Sequence, residues 1–496
     1  MRIHLSPRDI RQGYKGIKRL AWQSFRNGET ERALDYIHHC VVIAQQFNWI
    51  YCDDELEELM CEIGETVLPS SVDHFESVPG RVVFYDDFCT SFVLALQYLR
   101  ALVAEGKEIL YITPRRYEER SRFATILDEI GTYDKVHIHI VPKTGRLAKI
   151  QDIYRAIIDF APEKLLLHME AFSIAIPPLY HLPEAINRYI INLADQTYWL
   201  GKKGIDYSLE FRPFGASVSI QRRGLRKEQL LMVPFYPIVD NNPFLGFPAQ
   251  CSDYRIVIFS GGDLYKVIDG KKRFWNLVKR ILDSHPDVVF LFATKVNRQG
   301  TKMIDEFIKN NGYQDRFIYI GFRKDINEVF KHCDIYMGTC PASGSLMSQL
   351  AAFNSKPILQ FYEPGTPDDE TEQAICINES FPISFSDERA FIEEADRLIT
   401  DSTYRKQQGD RLRPAMMQPD QFDGLLIRTL EENRTQLPIV PSSIDYSFLD
   451  ERWFALEKMH YIDTLPYIYG LLGKKNALRF APGLFVKNRL NKLFRK

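Results

Sequence analysis

The chain has 496 residues, 45% hydrophobic and 13% aromatic, which is enough for about three domains with cores of their own. Its 63 basic and 65 acidic residues nearly balance, so composition argues against a nucleic-acid partner. Eight cysteines without a CxxC pair fit a reducing compartment and exclude a zinc ribbon, and the N-terminal stretch lacks the apolar run of a signal peptide. We therefore expect a cytoplasmic protein.

Residues 1–75 predict a helical cap. Apolar residues recur at helical spacing on both sides of Asn27-Gly28, which is typical of one tetratricopeptide-like hairpin. A single hairpin is not an array, because a stable solenoid needs about three repeats. We expect the cap to pack on the next domain, and the hairpin also offers a surface for a protein partner.

Residues 76–240 alternate apolar strand runs with helical segments. The strands read RVVFYDD, KEILYITP, KVHIHIVP, KLLLHM and RYIINL. Alternation of this kind predicts a parallel sheet covered by helices on both faces. We interpret the segment as a Rossmann-like acceptor domain.

Residues 241–415 form a second domain in which strands and helices alternate again, and a linker rich in Pro, Gly and Asn at 239–252 lies at its start. The predicted fold class is α/β, with two doubly wound parallel-sheet domains facing a cleft and a helical cap at the N-terminus. Residues 416–496 predict a helical tail that crosses back and ends in a basic segment. In such sheets ligands bind beyond the carboxyl ends of the strands, so the loops there are the candidate sites.

The first candidate loop follows the strand YRIVIFSGG. Gly261 and Gly262 carry no Cβ, so a phosphate can approach the main-chain N–H groups, and Lys266 supplies a compensating charge. A plain turn is the alternative.

Two further strand ends add candidates for the base of a nucleotide. Thr294 and Lys295 form a polar lip after DVVFLFA, and Gly321 with Phe322 follows RFIYI. An aromatic side chain beside exposed backbone suits a flat base. The alternative is an ordinary turn on the surface.

The stretch PASGSLMSQLAAFNSKPI predicts a helix that begins near Ser343, Gly344 and Ser345. Free N–H groups and the helix dipole favour an anion at such an end. Simple capping explains one serine, but it explains the whole run of small residues less well.

The order of these features resembles the nucleotide-binding half of GT-B glycosyltransferases, and the resemblance extends over about residues 80–415. The residues that match the order of the family are Gly321, Asp334, Ser343, Gly344, Lys356 and Pro357. The resemblance implies transfer of a sugar from a nucleotide diphosphate donor, expected to be uridine-linked. It also implies that neither a metal nor another cofactor is needed.

The sequence departs from the family at one position of the helix. Where many GT-B enzymes have a Glu, this chain has Gln349 and Leu350. Either Gln349 replaces the acid at the ribose, or acids in the next strand-end loop, Glu363 and 368–370, reach back. The absence of this Glu is also compatible with a site that has lost its activity.

Catalytic candidates come from the strand ends of the first domain. Asp195 follows RYIINL and is our candidate general base, with a strand-capping Asp as the alternative. Gln196, Tyr198 and Trp199 beside it suit the face of a sugar. His168 ends KLLLHM, where related GT-B enzymes often keep a functional His, and a simply buried His is the alternative. The basic run 222–227 faces either a phosphate or water.

The tail segment 471–496 holds eight basic residues and no acid, interleaved with apolar residues. Such a segment is attracted to an anionic membrane, so we expect peripheral contact at the inner face of the plasma membrane. A helix packed across both domains is the alternative.

The function predicted from the sequence is a glycosyltransferase that acts on a glycan or a lipid-linked acceptor. A sugar-nucleotide epimerase of the same fold is a second hypothesis, although the absence of acids between Asp334 and Glu363 counts against it. A non-catalytic scaffold with a relict sugar-nucleotide site is the third.

Overall fold

A computed structural model gives the fold of the chain. It describes residues 5–69, 74–88, 94–114, 122–239, 241–296, 298–455 and 463–494. Among these residues no helix combines the length and the apolar character that crossing a membrane requires.

The N-terminal segment forms three helices. They are α1 (Pro7–Arg26), α2 (Thr30–Phe47) and α3 (Asp54–Val67). Ser6 caps α1 by accepting a hydrogen bond from the Asp9 N–H, and the Asp9 side chain accepts one from the Ser6 N–H in return. Gly28 has φ +79°, a left-handed conformation that suits glycine and lets α2 fold back on α1. This hairpin packs on the first sheet and shares one apolar core with it.

The first sheet has seven parallel strands in the order β3-β2-β1-β4-β5-β6-β7. The strands are β1 (Val78–Asp86), β2 (Glu108–Thr113), β3 (Val136–Ile140), β4 (Pro162–His168), β5 (Asn187–Ile191), β6 (Tyr207–Glu210) and β7 (Leu230–Met232). The helices between them are α4 (Ala95–Ala104), α5 (Arg122–Ile130), α6 (Arg146–Phe160), α7 (Ile176–Leu179) and α8 (Pro213–Gln221).

The second sheet has six parallel strands in the order β10-β9-β8-β11-β12-β13. The strands are β8 (Ile256–Gly261), β9 (Val288–Ala293), β10 (Phe317–Tyr319), β11 (Ile335–Met337), β12 (Ile358–Phe361) and β13 (Ser384–Phe385). The helices of this part are α9 (Arg273–Ser284), α10 (Arg298–Asn311), α11 (Ile326–His332), α12 (Ser345–Phe353), α13 (Glu372–Ile375), α14 (Glu388–Thr400), α15 (Ser402–Asp410) and α16 (Leu412–Ala415).

The described residues of the C-terminal tail form four helices. They are α17 (Pro419–Glu432), α18 (Tyr446–Ala455), α19 (Thr464–Phe480) and α20 (Pro482–Phe494). Helix α17 returns to the first sheet, where Phe422 packs edge-on against Tyr98 of α4 with ring centroids 5.2 Å apart. Helices α19 and α20 pack on α1, so the two ends of the chain meet.

The predicted fold class is confirmed: both sheets are parallel, both are covered on two faces, and a helical cap precedes them. The central strands are buried on both faces, and all six residues of β9 are buried, which is why they read as unbroken apolar runs. Strands β6, β7 and β13, which have four, three and two residues, were not predicted from the sequence. Such short segments carry too few residues for a periodic pattern.

Candidate functional site

The carboxyl ends of strands from both sheets face one cavity of about 440 Å³. Its size lies within the range of small-molecule sites, roughly 300–1,000 Å³. Ten residues selected from the sequence line it: Asp195, Gln196, Gly262, Lys266, Thr294, Lys295, Phe322, Ser343, Gly344 and Ser345. Others do not line it, among them His168, Trp199, Gly261, Gly321 and Gln349.

The glycine loop after β8 lies close against the end of β9. A Cβ on Gly261 would lie 3.0 Å from the carbonyl oxygen of Ala293, so a side chain there would push the two strand ends apart. Gly262 has φ +149° and donates its N–H to the same carbonyl at 3.1 Å. The two glycines therefore let the loop pack closely against the end of β9 before the chain reaches Lys266.

Lys266 joins the glycine loop to the start of α12. Its Nζ donates to the carbonyl oxygen of Ser343 at 3.1 Å, and its own carbonyl accepts from the Ala342 N–H at 3.2 Å. A Cβ on Gly344 would lie 3.4 Å from that Nζ, which is van der Waals contact, so the ammonium group lies directly beside the start of α12. Burial lowers the pKa of Lys266, while the nearby carboxylate of Asp263 acts against the shift. The loop and the helix thus share one wall of the cavity.

The N-terminus of α12 opens into this wall. Gly344 is its N-cap residue, and no side-chain hydrogen bond from the described residues caps it. The first turn of a helix has N–H groups without an intrahelical partner, and the helix dipole favours an anion there. With Lys266 beside it, this end of α12 is suited to hold a phosphate.

A second group of residues borders the cavity at the ends of β9 and β10. The Thr294 N–H donates to the carbonyl of Gly321 at 3.1 Å, and Gly321 has φ +69° in the left-handed region. Phe322 is exposed, and Lys295 Nζ lies 4.5 Å from the centre of its ring. Gly321 shapes the turn from outside the cavity, whereas Phe322 presents a flat apolar face to it.

Asp195 lines the cavity but is tied to an arginine. Its carboxylate accepts from Arg212 Nε at 2.6 Å and from Nη2 at 3.1 Å, and both side chains are almost fully buried. Arg212 Nη1 also donates to Glu370 of the second domain at 3.0 Å. Burial opposes the charge on Arg212, but the two carboxylates outweigh it and raise its pKa. The ion pairs therefore hold Asp195 in place and join the two domains.

A buried polar network below Asp195 was not found by the sequence analysis. Arg223 donates through Nη2 to the carbonyls of Asp195 and Thr197, both at 2.7 Å, and so fixes the loop between them. Glu210 accepts from Asn192 at 2.9 Å and from Ser219 at 2.7 Å, and burial raises its pKa. These contacts position the loop that brings Asp195 to the cavity.

The sequence predicts that the basic run 222–227 faces either a phosphate or water. Arg223 instead lies in the interior with its guanidinium 5.0 Å from the ring centre of Trp199, and Arg222 pairs with Asp450 at 3.2 Å. Tyr198 and Trp199 are buried as well, so they offer no face to a sugar. Gln196 does line the cavity. No local pattern distinguishes a buried arginine from an exposed one in such a run.

His168 lies beside the cavity in a polar pair. Its Nδ1 is 2.9 Å from Asp86 Oδ1, and Tyr111 donates to the other oxygen of that carboxylate at 2.7 Å. The Nε2 atom is buried and has no hydrogen-bond partner among the described residues. Phe88, which lines the cavity, has its ring centre 5.1 Å from that of His168. The pair sits at the ends of β1 and β4, neighbouring strands of the first sheet.

Gln349 points away from the cavity. Its Nε2 donates to the carbonyls of Phe235 at 2.9 Å and Ala374 at 3.0 Å, and its side chain is buried. An uncharged amide can satisfy two buried carbonyls in this way, whereas a carboxylate has no donor for them. The structure therefore gives Gln349 a place in the packing between the domains.

The acidic loop after β12 has other partners as well. Glu363 pairs with Arg273 at 3.0 Å, and Glu370 pairs with Arg212. Asp368 and Asp369 line separate clefts beside Tyr362. The two acids that line the described cavity are Asp195 and Asp263. No group of three or more His, Cys, Asp or Glu side chains within the described ranges is arranged to hold a metal ion.

No family model and no curated protein matches the sequence. Solved structures do match. The chain is similar to HepE from Anabaena in complex with UDP and glucose, at 13% identity and a TM-score of 0.50 over 71% of this chain and 99% of that one.

Two further solved structures are similar. One is a mutant of the O-GlcNAc transferase of Thermobaculum terrenum, at 13% identity and a TM-score of 0.53 over 88% of this chain and 84% of that one. The other is a glycosyltransferase from Rickettsia africae, at 13% identity and a TM-score of 0.52 over 71% of this chain and 98% of that one. The likeness agrees with the two parallel sheets described above. The chain has the GT-B fold.

Proposed function

We propose that this protein is a glycosyltransferase that moves a sugar from a uridine diphosphate donor to a glycan or a lipid-linked acceptor. The observation that carries the proposal is the shared wall formed by Gly262, Lys266 and the first turn of α12. A diphosphate leaving group needs compensation of its negative charge, and an ammonium group with preorganised N–H groups supplies it. HepE, a structure of similar fold, binds UDP and glucose, and this supports the choice of donor.

The other side of the cavity is suited to the rest of the donor and to the acceptor. Phe322 offers its ring to the uracil base, with Thr294 and Lys295 at its border. On the wall of the first domain, Phe88 and Gln196 combine an apolar face with an amide, which suits the ring and hydroxyls of a sugar. The donor is therefore proposed to lie on the second domain and the acceptor on the first.

His168 is the better candidate for the general base. Its Nδ1–H donates to Asp86, so Nε2 carries the lone pair that accepts a proton. Because Nε2 is buried next to Phe88, the proposed step requires the Phe88 ring to move aside. The acceptor hydroxyl then gives its proton to this nitrogen, its oxygen bonds to the anomeric carbon, and the bond to the diphosphate breaks. Asp195 is less suited to that role because both of its oxygens accept from Arg212.

In this proposal Lys266 and the N-terminus of α12 compensate the negative charge of the leaving diphosphate, without a metal ion. Removing such a preorganised donor typically costs about 10²–10³ in kcat. The protein requires no further cofactor in this proposal.

Calorimetric titration with UDP tests the donor site. We expect binding by the native chain and a loss of at least about tenfold in affinity for Lys266→Ala, since a charge-assisted contact contributes about 1.5–3 kcal/mol. Lys302→Ala is the matched control, because that lysine is exposed on α10, outside the cavity. Equal affinity of the native chain and Lys266→Ala for UDP would contradict the proposed site.

A non-catalytic binding protein is the second candidate. It is favoured by the Arg212 ion pair that occupies Asp195 and by the buried place of Gln349, which leaves α12 without an acid for a ribose. Release of UDP from UDP-glucose in the presence of a glycan acceptor distinguishes the two. Tight binding of UDP without any turnover, in the native chain and in His168→Gln alike, would favour the binding protein.

A further inference from the structure

Exposed apolar side chains are concentrated in the last two helices. Of the ten large apolar residues that are exposed in the described part of the chain, four lie there, with 57%, 55%, 41% and 69% of their surface exposed: Leu478, Val486, Leu490 and Leu493. The last three are spaced four and three residues apart on α20, so they lie on one face of that helix. We call these three residues the α20 ridge.

The opposite face of α20 is anchored to the protein. Leu484 and Asn488 are buried, and a Cβ on Gly13 of α1 would lie 3.0 Å from Leu484 Cδ1, so the two helices touch closely. Lys487 Nζ pairs with Asp9 of α1 at 2.6 Å. The helix is therefore fixed by its inner face, and the α20 ridge faces outward.

The surroundings of the ridge carry charge of one sign. Helices α19 and α20 contain no acidic residue and six basic ones: Lys474, Lys475, Arg479, Lys487, Arg489 and Lys492. All of these except Lys487 are exposed. Arg489 and Lys492 flank the ridge on the helix surface.

Helix α1 adds a second set of cations from the other end of the chain. Four exposed basic residues recur at helical spacing along it: Arg8, Arg11, Lys15 and Arg19. Its one acid, Asp9, is already paired with Lys487. Because α1 packs directly on α19 and α20, these charges lie about one helix diameter from them, ~10 Å, which is comparable with the Debye length in physiological salt.

We propose that the α20 ridge and the basic residues of α1, α19 and α20 form a docking surface for a bilayer that contains anionic phospholipid. A helix that presents an apolar face beside cations lies in the interface of such a membrane, with its apolar side chains at the acyl boundary and its cations at the phosphates. A stable interface with a protein partner buries about 1,600 Å². Three apolar side chains on one helix are a small core for an interface of that size, which favours a membrane as the occupant. The proposal is independent of the transferase assignment.

Sedimentation with vesicles tests the apolar part of the surface. The full chain should pellet with vesicles of phosphatidylglycerol and phosphatidylcholine, and the double variant Leu490→Ser, Leu493→Ser should bind at least about tenfold more weakly. The matched control is Leu245→Ser, Val440→Ser, because these residues are 67% and 62% exposed and lie far along the chain from α20. Equal loss in both double variants would overturn the proposal.

A charge variant tests the electrostatic part. Arg489→Glu with Lys492→Glu, and separately Arg8→Glu with Lys15→Glu, should each weaken binding to the anionic vesicles about tenfold or more, with a smaller effect at high salt. The control is Lys302→Glu with Lys406→Glu, whose side chains are both 75% exposed in the second domain. Equal binding of the native chain to vesicles of phosphatidylcholine alone would also contradict the proposal.

Two further measurements complete the test. Circular dichroism checks that each variant keeps the helical content of the native chain. Sedimentation velocity tests whether a second copy of the chain, rather than a membrane, binds the α20 ridge. A native chain that dimerises through the ridge and ignores anionic vesicles would overturn the membrane proposal.

Discussion

The ion pair between Asp195 and Arg212 offers a direct test of how the cavity is built. The two side chains form two hydrogen bonds, at 2.6 and 3.1 Å, and are almost fully buried. Arg212 also reaches Glu370 across the domain boundary at 3.0 Å. Asp195→Asn keeps the shape of the side chain but removes its charge, and it turns an amide N–H₂ toward one of the guanidinium donors.

The expected loss of unfolding free energy in Asp195→Asn follows from the burial of the ion pair. Breaking a buried pair by removing one partner costs about 3–5 kcal/mol, because the other charge stays buried. Arg212 keeps Glu370, so we expect the lower end, about 3 kcal/mol, for Asp195→Asn. The pair Arg188–Asp206 is the matched control: it has the same two-bond geometry, at 2.8 and 2.7 Å, but its aspartate is half-buried. Asp206→Asn should cost about 1 kcal/mol, as partly exposed pairs do.

Urea unfolding followed by circular dichroism measures both variants, with the first transition compared because a chain of several domains need not unfold in one step. A double-mutant cycle of Asp195→Asn with Arg212→Met should return a coupling free energy of at least about 2 kcal/mol. If Asp195→Asn leaves the unfolding free energy unchanged while sugar transfer is lost, the carboxylate is a free base and our reasoning about the pair is wrong.

Three further predictions concern the strand ends and the helix start. Asp87 follows β1 and is buried, and its carboxylate accepts from Ser173 at 2.6 Å and from the Glu170 N–H at 2.7 Å. Burial raises the pKa of Asp87 to about 7 from 3.8, so the unfolded chain loses this proton near pH 4 while the folded chain keeps it up to about pH 7. Stability should therefore fall by up to about 4 kcal/mol as pH rises from 4 to 7, and thermal unfolding against pH should show a flatter profile for Asp87→Asn. His168→Gln should lower the rate of sugar transfer by about 10²–10⁴ with unchanged UDP affinity in calorimetry, and a wild-type rate would refute the base assignment. Gly344→Val should weaken UDP binding about tenfold because its γ-methyl groups extend beyond a Cβ that already lies 3.4 Å from Lys266 Nζ, whereas Gly424→Val, where a Cβ meets nothing within 4 Å, should not.

The order of the elements was readable from the chain because each carries a local signal. Buried parallel strands appear as apolar runs, and β9 is an example in which every residue is buried. The glycine pair at 261–262 and the small residues at 343–345 mark strand ends because turns and close backbone approach require such residues. These signals depend on neighbours within a few positions, which a sequence shows directly.

Contacts between distant segments had no such signal. Gln349 was selected for a ribose, yet it satisfies carbonyls of Phe235 and Ala374, which lie in other elements. Arg223 stood in a basic run, yet it is buried below Asp195. Whether a polar side chain faces a cavity or fills a core depends on which segments pack against it, and residue type alone is compatible with both.

The sequence by itself determined two parallel α/β layers, a helical cap and the loops at which an anion would bind, because periodicity and turn chemistry are local. Only the tertiary structure decided that Lys266 meets the start of α12, that an arginine holds Asp195, and that α1 packs on α20. Each of these contacts joins residues at least 17 positions apart, the separation of Asp195 from Arg212. Packing of the whole chain fixes such pairs, since many alternative partners satisfy the same local pattern.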